Sequence, residues 1–217
     1  MKNTILIILI FTALTAFAQE NIGFGFKAGV TISSPTTEIA SGYTNNNELN
    51  LKTGVSYLFG GYIDLIKTEN IIISPELYFN KKTTSLEYKY SYGSTVSKTT
   101  GDFSADYLVF GLEGKYFFNS KTYLPYLIAE PRLSFYLGDN IDNTNTTIPL
   151  SMQNYISERY KKIGFGLNAG IGIKFVKKTN VDFFLEALYC PDFYYSYDDN
   201  AYKAKNTGFE FKFGIGF

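Results

Sequence analysis

The chain has 217 residues, 20 basic and 20 acidic side chains, no histidine, no tryptophan and one cysteine, Cys190. The charge balance leaves no basic footprint for nucleic acid, the single thiol excludes an intrachain disulfide, and the missing imidazole removes Ser–His chemistry and His-based metal sites. Aromatic residues make up 18% of the chain, yet after the first turns of sequence no stretch approaches the roughly 18 apolar residues of a spanning helix.

Residues 1–18 read as a secretory signal peptide. Lys2 supplies the positive start, Ile5–Phe11 the short apolar run, and Ala16–Phe17–Ala18 a small-x-small cleavage site before Gln19. No cysteine follows the run, which argues against a lipid-anchored lipoprotein. Residues 19–217 are expected to form one domain.

From Ile22 onward the dominant signal is a period of two, the mark of strands with two different faces. Strand one sets Phe24, Phe26, Ala28, Val30 and Ile32 against Gly23, Gly25, Lys27, Gly29 and Thr31. A polar stretch follows, and strand two sets Val55, Tyr57, Phe59, Ile63 and Leu65 against Asp64. After a tight turn at 67–70, strand three alternates Ile71, Ile73, Leu77 and Phe79 with Ser74, Glu76, Tyr78 and Asn80, and continues toward Tyr88, Tyr90 and Tyr92. Strand four opposes Leu108, Phe110, Leu112, Tyr116 and Phe118 to Glu113 and Lys115. A second turn at 119–122 leads to strand five, where Leu127, Ala129, Leu133, Phe135 and Leu137 oppose Tyr126, Glu130, Arg132 and Tyr136. Strand six sets Ile163, Phe165, Leu167, Ile171, Ile173 and Phe175 against glycines, Asn168 and Lys174. A third turn at 177–180 precedes strand seven, with Val181, Phe183, Leu185, Ala187 and Tyr189 against Asp182 and Glu186. The last strand sets Phe209, Phe211, Phe213, Ile215 and Phe217 against Gly208, Glu210, Lys212, Gly214 and Gly216.

Eight strands result, with three turns of four residues alternating with longer polar connections near 34–51, 91–102, 138–159 and 191–206. This sorting matches a bacterial outer-membrane barrel, with short periplasmic turns, long outer loops and an even strand count. The side-chain sizes point the same way. An eight-stranded barrel has interior room only for its own side chains or one small ligand, so the bulky aromatic faces must point outward. Glycines of strands one, six and eight then make room inside for Tyr62, Tyr78, Tyr126 and Tyr136. The predicted fold class is therefore all-β: an eight-stranded antiparallel up-and-down transmembrane β-barrel. A soluble lipocalin-like ligand-binding barrel, with apolar faces inward, is the fold-level alternative.

On this reading the interior carries Lys27, Asp64, Glu76, Glu113, Lys115, Glu130, Arg132, Lys174, Asp182, Glu186, Glu210 and Lys212. A desolvated single charge is costly, so these groups are expected to form a lumen charge network. Pro75 and Pro131 fall inside expected strands, where they mark bulges or local bends. Tyr88, Tyr90 and Tyr189 are assigned to an aromatic girdle. Tyr194, Tyr195, Tyr197 and Tyr202 fall in the last long connection and are candidates for loop binding. The Gly-x-Gly stretches at 23–29 and 164–170 lack the dinucleotide-fingerprint spacing and simply continue the strand period. No enzymatic activity, cofactor or metal is expected, and Cys190 reads as a packed or lipid-facing thiol.

With the strands placed, the chain resembles the small outer-membrane β-barrel proteins of Bacteroidota, often labelled porin-family or PorT-like. The carriers are residues 23–33, 73–82, 106–118, 125–138 and 164–175, together with the terminal Phe217. Where such families often have an Arg–Tyr pair late in strand seven, this chain has Leu188–Tyr189. The resemblance implies residence in the bacterial outer membrane, contact with its lipid, and Phe217 as part of a C-terminal signal read by the barrel-assembly machinery. The expected role is structural or surface-binding, with a side-chain-filled lumen. An accessory of a secretion machinery with an extracellular or secretion-system protein partner, and a narrow channel, are the alternatives.

A closed barrel resists SDS until heated. Unboiled and boiled samples of the outer-membrane fraction are therefore expected to migrate differently on a gel, and a soluble periplasmic protein with a single mobility would reverse the assignment of faces.

Overall fold

The alternation along the chain becomes eight long strands in a computed structural model that describes residues 22–39, 48–92, 95–118, 123–142, 158–175, 181–198 and 202–217. They are β1 (Gly23–Ile39), β2 (Glu48–Asp64), β3 (Ile71–Tyr92), β4 (Thr95–Phe117), β5 (Tyr123–Asp142), β6 (Ile163–Phe175), β7 (Asp182–Tyr189) and β8 (Tyr202–Gly216). Two short strands, Ile66–Lys67 and Tyr197–Asp198, pair with β3 and β8. Each long strand pairs antiparallel with its neighbour in sequence, and β8 returns to pair with β1 from Gly25↔Gly216 to Ile39↔Tyr202. The sheet is thus a closed up-and-down barrel, the expected fold class. Phe24 and Phe217 finish the seam: the Phe24 N–H donates to the Phe217 carbonyl at 3.2 Å, the Phe217 N–H donates back at 2.8 Å, and the rings stack 5.5 Å apart.

The two faces of the wall separate by chemistry. Outward positions carry large apolar residues that are more than half exposed, such as Phe26 at 63%, Val55 at 65% and Ile171 at 62%. Inward positions carry Glu113, Glu130, Asn168 and Ser134, all at 0%. In water this distribution would be inverted; in lipid it is the favourable one.

Size explains how the interior closes. A methyl group at Gly25 would collide with the Tyr62 ring, at Gly60 with Tyr78, at Gly172 with Tyr126 and at Gly214 with Phe184. Glycines of β1, β6 and β8 therefore make room for rings as the sequence suggested. For Tyr78 the space comes from β2, and Tyr136 is only half-buried, stacking on Tyr160 at 5.5 Å. Two apolar clusters fill the interior. One joins Tyr62, Phe117, Tyr126, Phe184, Leu188 and Cys190; the other joins Leu58, Tyr78, Phe103, Tyr107 and Val109. The Cys190 thiol is thus packed inside rather than lipid-facing.

Several boundaries depart from the sequence reading. Residues 91–102 are not a long connection: β3 and β4 pair to Tyr92↔Thr95. Likewise β1 runs to Ile39, β2 starts at Glu48, β5 reaches Asp142 and β8 starts at Tyr202. These outer segments are polar on both faces and rich in Ser and Thr, so they lack the apolar alternation that marks a half-buried strand, while their β-branched residues still suit a ladder. Pro75 lies beside a one-residue shift, between Tyr62↔Glu76 and Ile66↔Ile73. At Pro131 the register with β4 continues unshifted from Gly111↔Arg132 to Gly114↔Ala129. The tight turn at 67–70 is closed by a Thr68 N–H to Ile71 carbonyl bond of 2.8 Å. The turns at 119–122 and 177–180, the signal segment 1–18 and the side chains of Tyr88 and Tyr90 lie outside the described residues, while Tyr189 is exposed on the outer face.

Replacing Gly172 or Gly214 by Leu is expected to overpack the lumen and cost about 1–3 kcal/mol, measured by urea unfolding in detergent micelles. The outward change Ile171→Leu is expected to stay within about 0.5 kcal/mol.

Candidate functional site

The period of two places one side chain of each adjacent pair inside, and on all eight strands those inward positions include charge or amide groups. Together they form a ladder along the lumen axis. At the end that carries the tight turns, Lys174 of β6 pairs with Asp182 of β7 at 2.5 Å, and the Ser74 hydroxyl donates to Asp64 at 2.6 Å. One level deeper, Lys115 of β4 pairs with Glu113 at 2.7 Å and lies 4.8 Å from the centre of the Tyr62 ring and 5.2 Å from that of Phe184.

The next level centres on Lys27 of β1. Its ammonium contacts Glu113 at 2.8 Å, Glu186 at 3.0 Å and also Glu76. The Tyr126 hydroxyl donates to Glu186 at 2.9 Å. Carboxylate oxygens of Glu76, Glu113 and Glu130 approach within 4.8 Å of one another, a spacing that could suit a cation. Lys27 and Lys212 already fill that role: Lys212 lies 3.4 Å from Glu130, 3.3 Å from Glu210 and 3.8 Å from Glu76. The triad is a salt-bridge hub, not a vacant metal cage.

Toward the other end, Asn168 of β6 donates to Glu130 at 2.9 Å and accepts from Arg132 Nε at 2.6 Å. Arg132 also donates to Ser134 at 3.1 Å and to Asp192 at 2.6 Å, and Lys82 of β3 holds the same Asp192 at 2.9 Å. Asn80 donates to Glu210 at 2.8 Å, and the Tyr78 hydroxyl donates to Glu130 at 3.2 Å. Charge-assisted bonds of this kind are the strong ones, and inside a low-dielectric lumen they reinforce each other.

All twelve charged residues singled out in the sequence face the lumen. Lys27, Glu76, Glu113, Lys115, Glu130, Arg132, Glu186, Glu210 and Lys212 are buried; Asp64, Lys174 and Asp182 are half-buried at the mouth. Sequence reasoning missed Lys82 and Asp192. Lys82 continues the inward parity of Ser74, Glu76, Tyr78 and Asn80. Asp192 continues that of Leu188 and Cys190, because the chain beyond Tyr189 stays in the wall: the Cys190 N–H donates to the Gly208 carbonyl at 2.8 Å and the Phe193 N–H to Phe165 at 3.0 Å. Pro191 had hidden that continuation.

The tyrosines of the last connection disperse. Tyr194 points inward over Gly164, where a methyl group would strike its ring. Tyr195 lies outside and its hydroxyl donates to Glu38 at 2.9 Å, a bond to a carboxylate that raises the phenol pKa. Tyr197 meets Tyr160 edge-on at 5.9 Å. Tyr202 pairs with Ile39, and its side chain lies outside the described residues. They do not converge on one site. Phe217 remains 53% exposed beside Phe24.

The sequence matches the family described as outer membrane protein beta-barrel domain over residues 17–200. The chain belongs to this family. No curated protein matches it. Among solved structures it is similar to the outer membrane protein OprG from Pseudomonas aeruginosa, at 10% identity and a TM-score of 0.54, covering 93% of this chain and 98% of that one. It is also similar to the outer membrane protease OmpT from Escherichia coli, at 11% identity and a TM-score of 0.51, covering 92% and 97%. At such identities the likeness is one of fold. Within this outer-membrane barrel the arrangement can hold strands together, exclude water and fix charge.

Arg132→Met leaves the buried Asp192 with one cation instead of two and frees Asn168 and Ser134 of their donor. A loss of about 3–5 kcal/mol is expected, read by urea unfolding, whereas Lys161→Met at the exposed rim should change stability by no more than about 0.5 kcal/mol.

Proposed function

We propose that this barrel is a sealed, non-enzymatic outer-membrane protein whose role is structural or surface-binding, with the tight turns toward the periplasm and the long hairpins outside the cell. The observation that carries the reading is the filled lumen. Ion pairs and amide bonds follow one another from Lys174–Asp182 to Lys82–Asp192, flanked by two apolar clusters. An ion entering this path would have to break a buried pair at each level, and breaking such pairs is strongly unfavourable. The barrel therefore offers its outer surface and not its interior.

The hairpin end supports a surface role. β3 and β4 run 22 and 23 residues, about twice the roughly 9–11 residues that a tilted strand needs to cross the membrane. The excess forms a paired ladder beyond the lipid, from Thr84↔Phe103 to Tyr92↔Thr95. A projecting hairpin of this kind also favours the second reading, an accessory of a secretion machinery as in PorT-like barrels of Bacteroidota, for which it would be the docking element. In either case the signal peptide of residues 1–18 delivers the chain across the inner membrane, and Phe217 with the alternating β8 serves as the recognition element for barrel assembly. The likeness to the protease OmpT is one of fold, and a chain without histidine lacks the imidazole base of omptin-type chemistry.

Purified protein in planar lipid bilayers is expected to give no stepwise ionic current. Deleting residues 86–101 should leave the heat-dependent gel shift intact and abolish surface binding or secretion. Steady single-channel conductance altered by Glu130→Gln or Arg132→Met would replace this reading with the narrow channel.

A further inference from the structure

On the lipid side of the wall a groove of about 390 Å³ crosses β5 between β4 and β6. Leu112 and Pro131 lie side by side in it, and Phe110, Leu133, Phe165 and Leu167 flank them. All are outward positions at membrane depth. Along β4, Leu112 lies between Tyr116 at the tight-turn end and Asp106, which with its cross-strand partner Lys81 marks the polar outer border.

The groove holds an unpaired backbone acceptor. In an antiparallel ladder every second pair exchanges both of its N–H to carbonyl bonds. The Phe118 N–H donates to the Pro125 carbonyl at 2.9 Å, so the bond-exchanging pairs continue at Tyr116↔Leu127 and Gly114↔Ala129. The next one on this register is Leu112 with Pro131. Proline has no N–H, and the ladder is interrupted there, between Gly114↔Ala129 and Gly111↔Arg132. The Leu112 carbonyl therefore has no donor across β5, and no other described group donates to it. On its other side Leu112 faces Pro75 in a pair that exchanges no bonds, since the Phe117 N–H to Asn70 carbonyl contact sets that alternation.

At a wet surface water serves such a group. In hydrocarbon it cannot, so an unpaired carbonyl at this depth is costly. The chemistry that relieves it is a hydroxyl donor carried into the membrane on an apolar chain: the chain fills the groove and the O–H reaches the Leu112 oxygen. A plain hydrocarbon chain fills the same space and leaves the carbonyl unserved. We propose that the groove at Pro131 is a binding site for a lipid whose acyl chain bears a mid-chain hydroxyl, seated against Phe110, Leu133, Phe165 and Leu167 with its hydroxyl donating to the Leu112 carbonyl. Pro131 is then the specificity determinant, because it withholds the ladder's own donor and leaves the oxygen to the ligand.

The test is a competition. The folded protein in detergent micelles is incubated with equal amounts of stearic acid and of hydroxystearic acid with its hydroxyl at mid-chain, and the bound species are counted by native mass spectrometry. An excess of bound hydroxystearic acid of about five- to tenfold is expected, the size of one hydrogen bond to an otherwise unpaired group. Pro131→Ala supplies the missing N–H and should bring the ratio to about one while stearic acid still binds. Leu167→Trp fills the groove and should remove both acids. Ile171→Leu, on another part of the outer wall, should leave the ratio unchanged. Each variant is checked for the heat-dependent gel shift, so that binding is read only on folded protein. Equal binding of the two acids to the unsubstituted protein, an excess unchanged in folded Pro131→Ala, or an excess retained by folded Leu167→Trp would each overturn the proposal.

Discussion

The hydrogen-bonded seam between β8 and β1 is the constraint on which everything else depends. In hydrocarbon an unpaired backbone group costs several kcal/mol, so a spanning sheet must have no edge. Fifteen residue pairs from Gly25↔Gly216 to Ile39↔Tyr202 remove the edge, and the reciprocal bonds of Phe24 and Phe217 extend the seam to the last residue. Closure fixes which face is lumen and which is lipid. From that point the composition of each strand is no longer free: apolar bulk belongs outside, and whatever is polar must find partners inside.

The interior answers that demand with shared counterions. Lys27 serves three carboxylates, Lys212 serves three, and Asp192 is served by two cations. A ladder of this kind is weak evidence for stability compared with an apolar filling, because desolvation offsets much of the attraction. Its value lies in specificity. Lys27 alone ties β1 to carboxylates of β3, β4 and β7, so a one-residue slip in any of these ladders would turn its charges toward lipid. The network therefore locks register around the ring, while glycines opposite Tyr62, Tyr126 and Phe184 adjust the wall to the size of the rings.

Much of this was legible in the sequence because a strand writes its two faces in alternate residues. The twelve charged positions were found by parity alone, and all face the lumen. Lys82 and Asp192 were lost for a local reason: the alternation becomes polar on both faces after Asn80, and Pro191 interrupts what looks like the end of β7. The same blindness shortened β1, β3, β4 and β8. Beyond the lipid a strand has no apolar face to reveal it, and only its pairing partner shows that it continues.

By itself the sequence determined the period, the all-β up-and-down barrel class and the chemistry of each face, all of which are properties of residues near one another along the chain. The tertiary structure alone decided which charge meets which, that Lys27 and Lys212 each join three carboxylates, that Tyr194 points inward while Tyr195 points out, and that a cavity walled by Tyr62, Phe117, Tyr126 and Phe184 remains at one end. Those outcomes depend on the register between strands and on the curvature of the closed wall. Both are set by pairings across many tens of residues, to which no single strand holds the key.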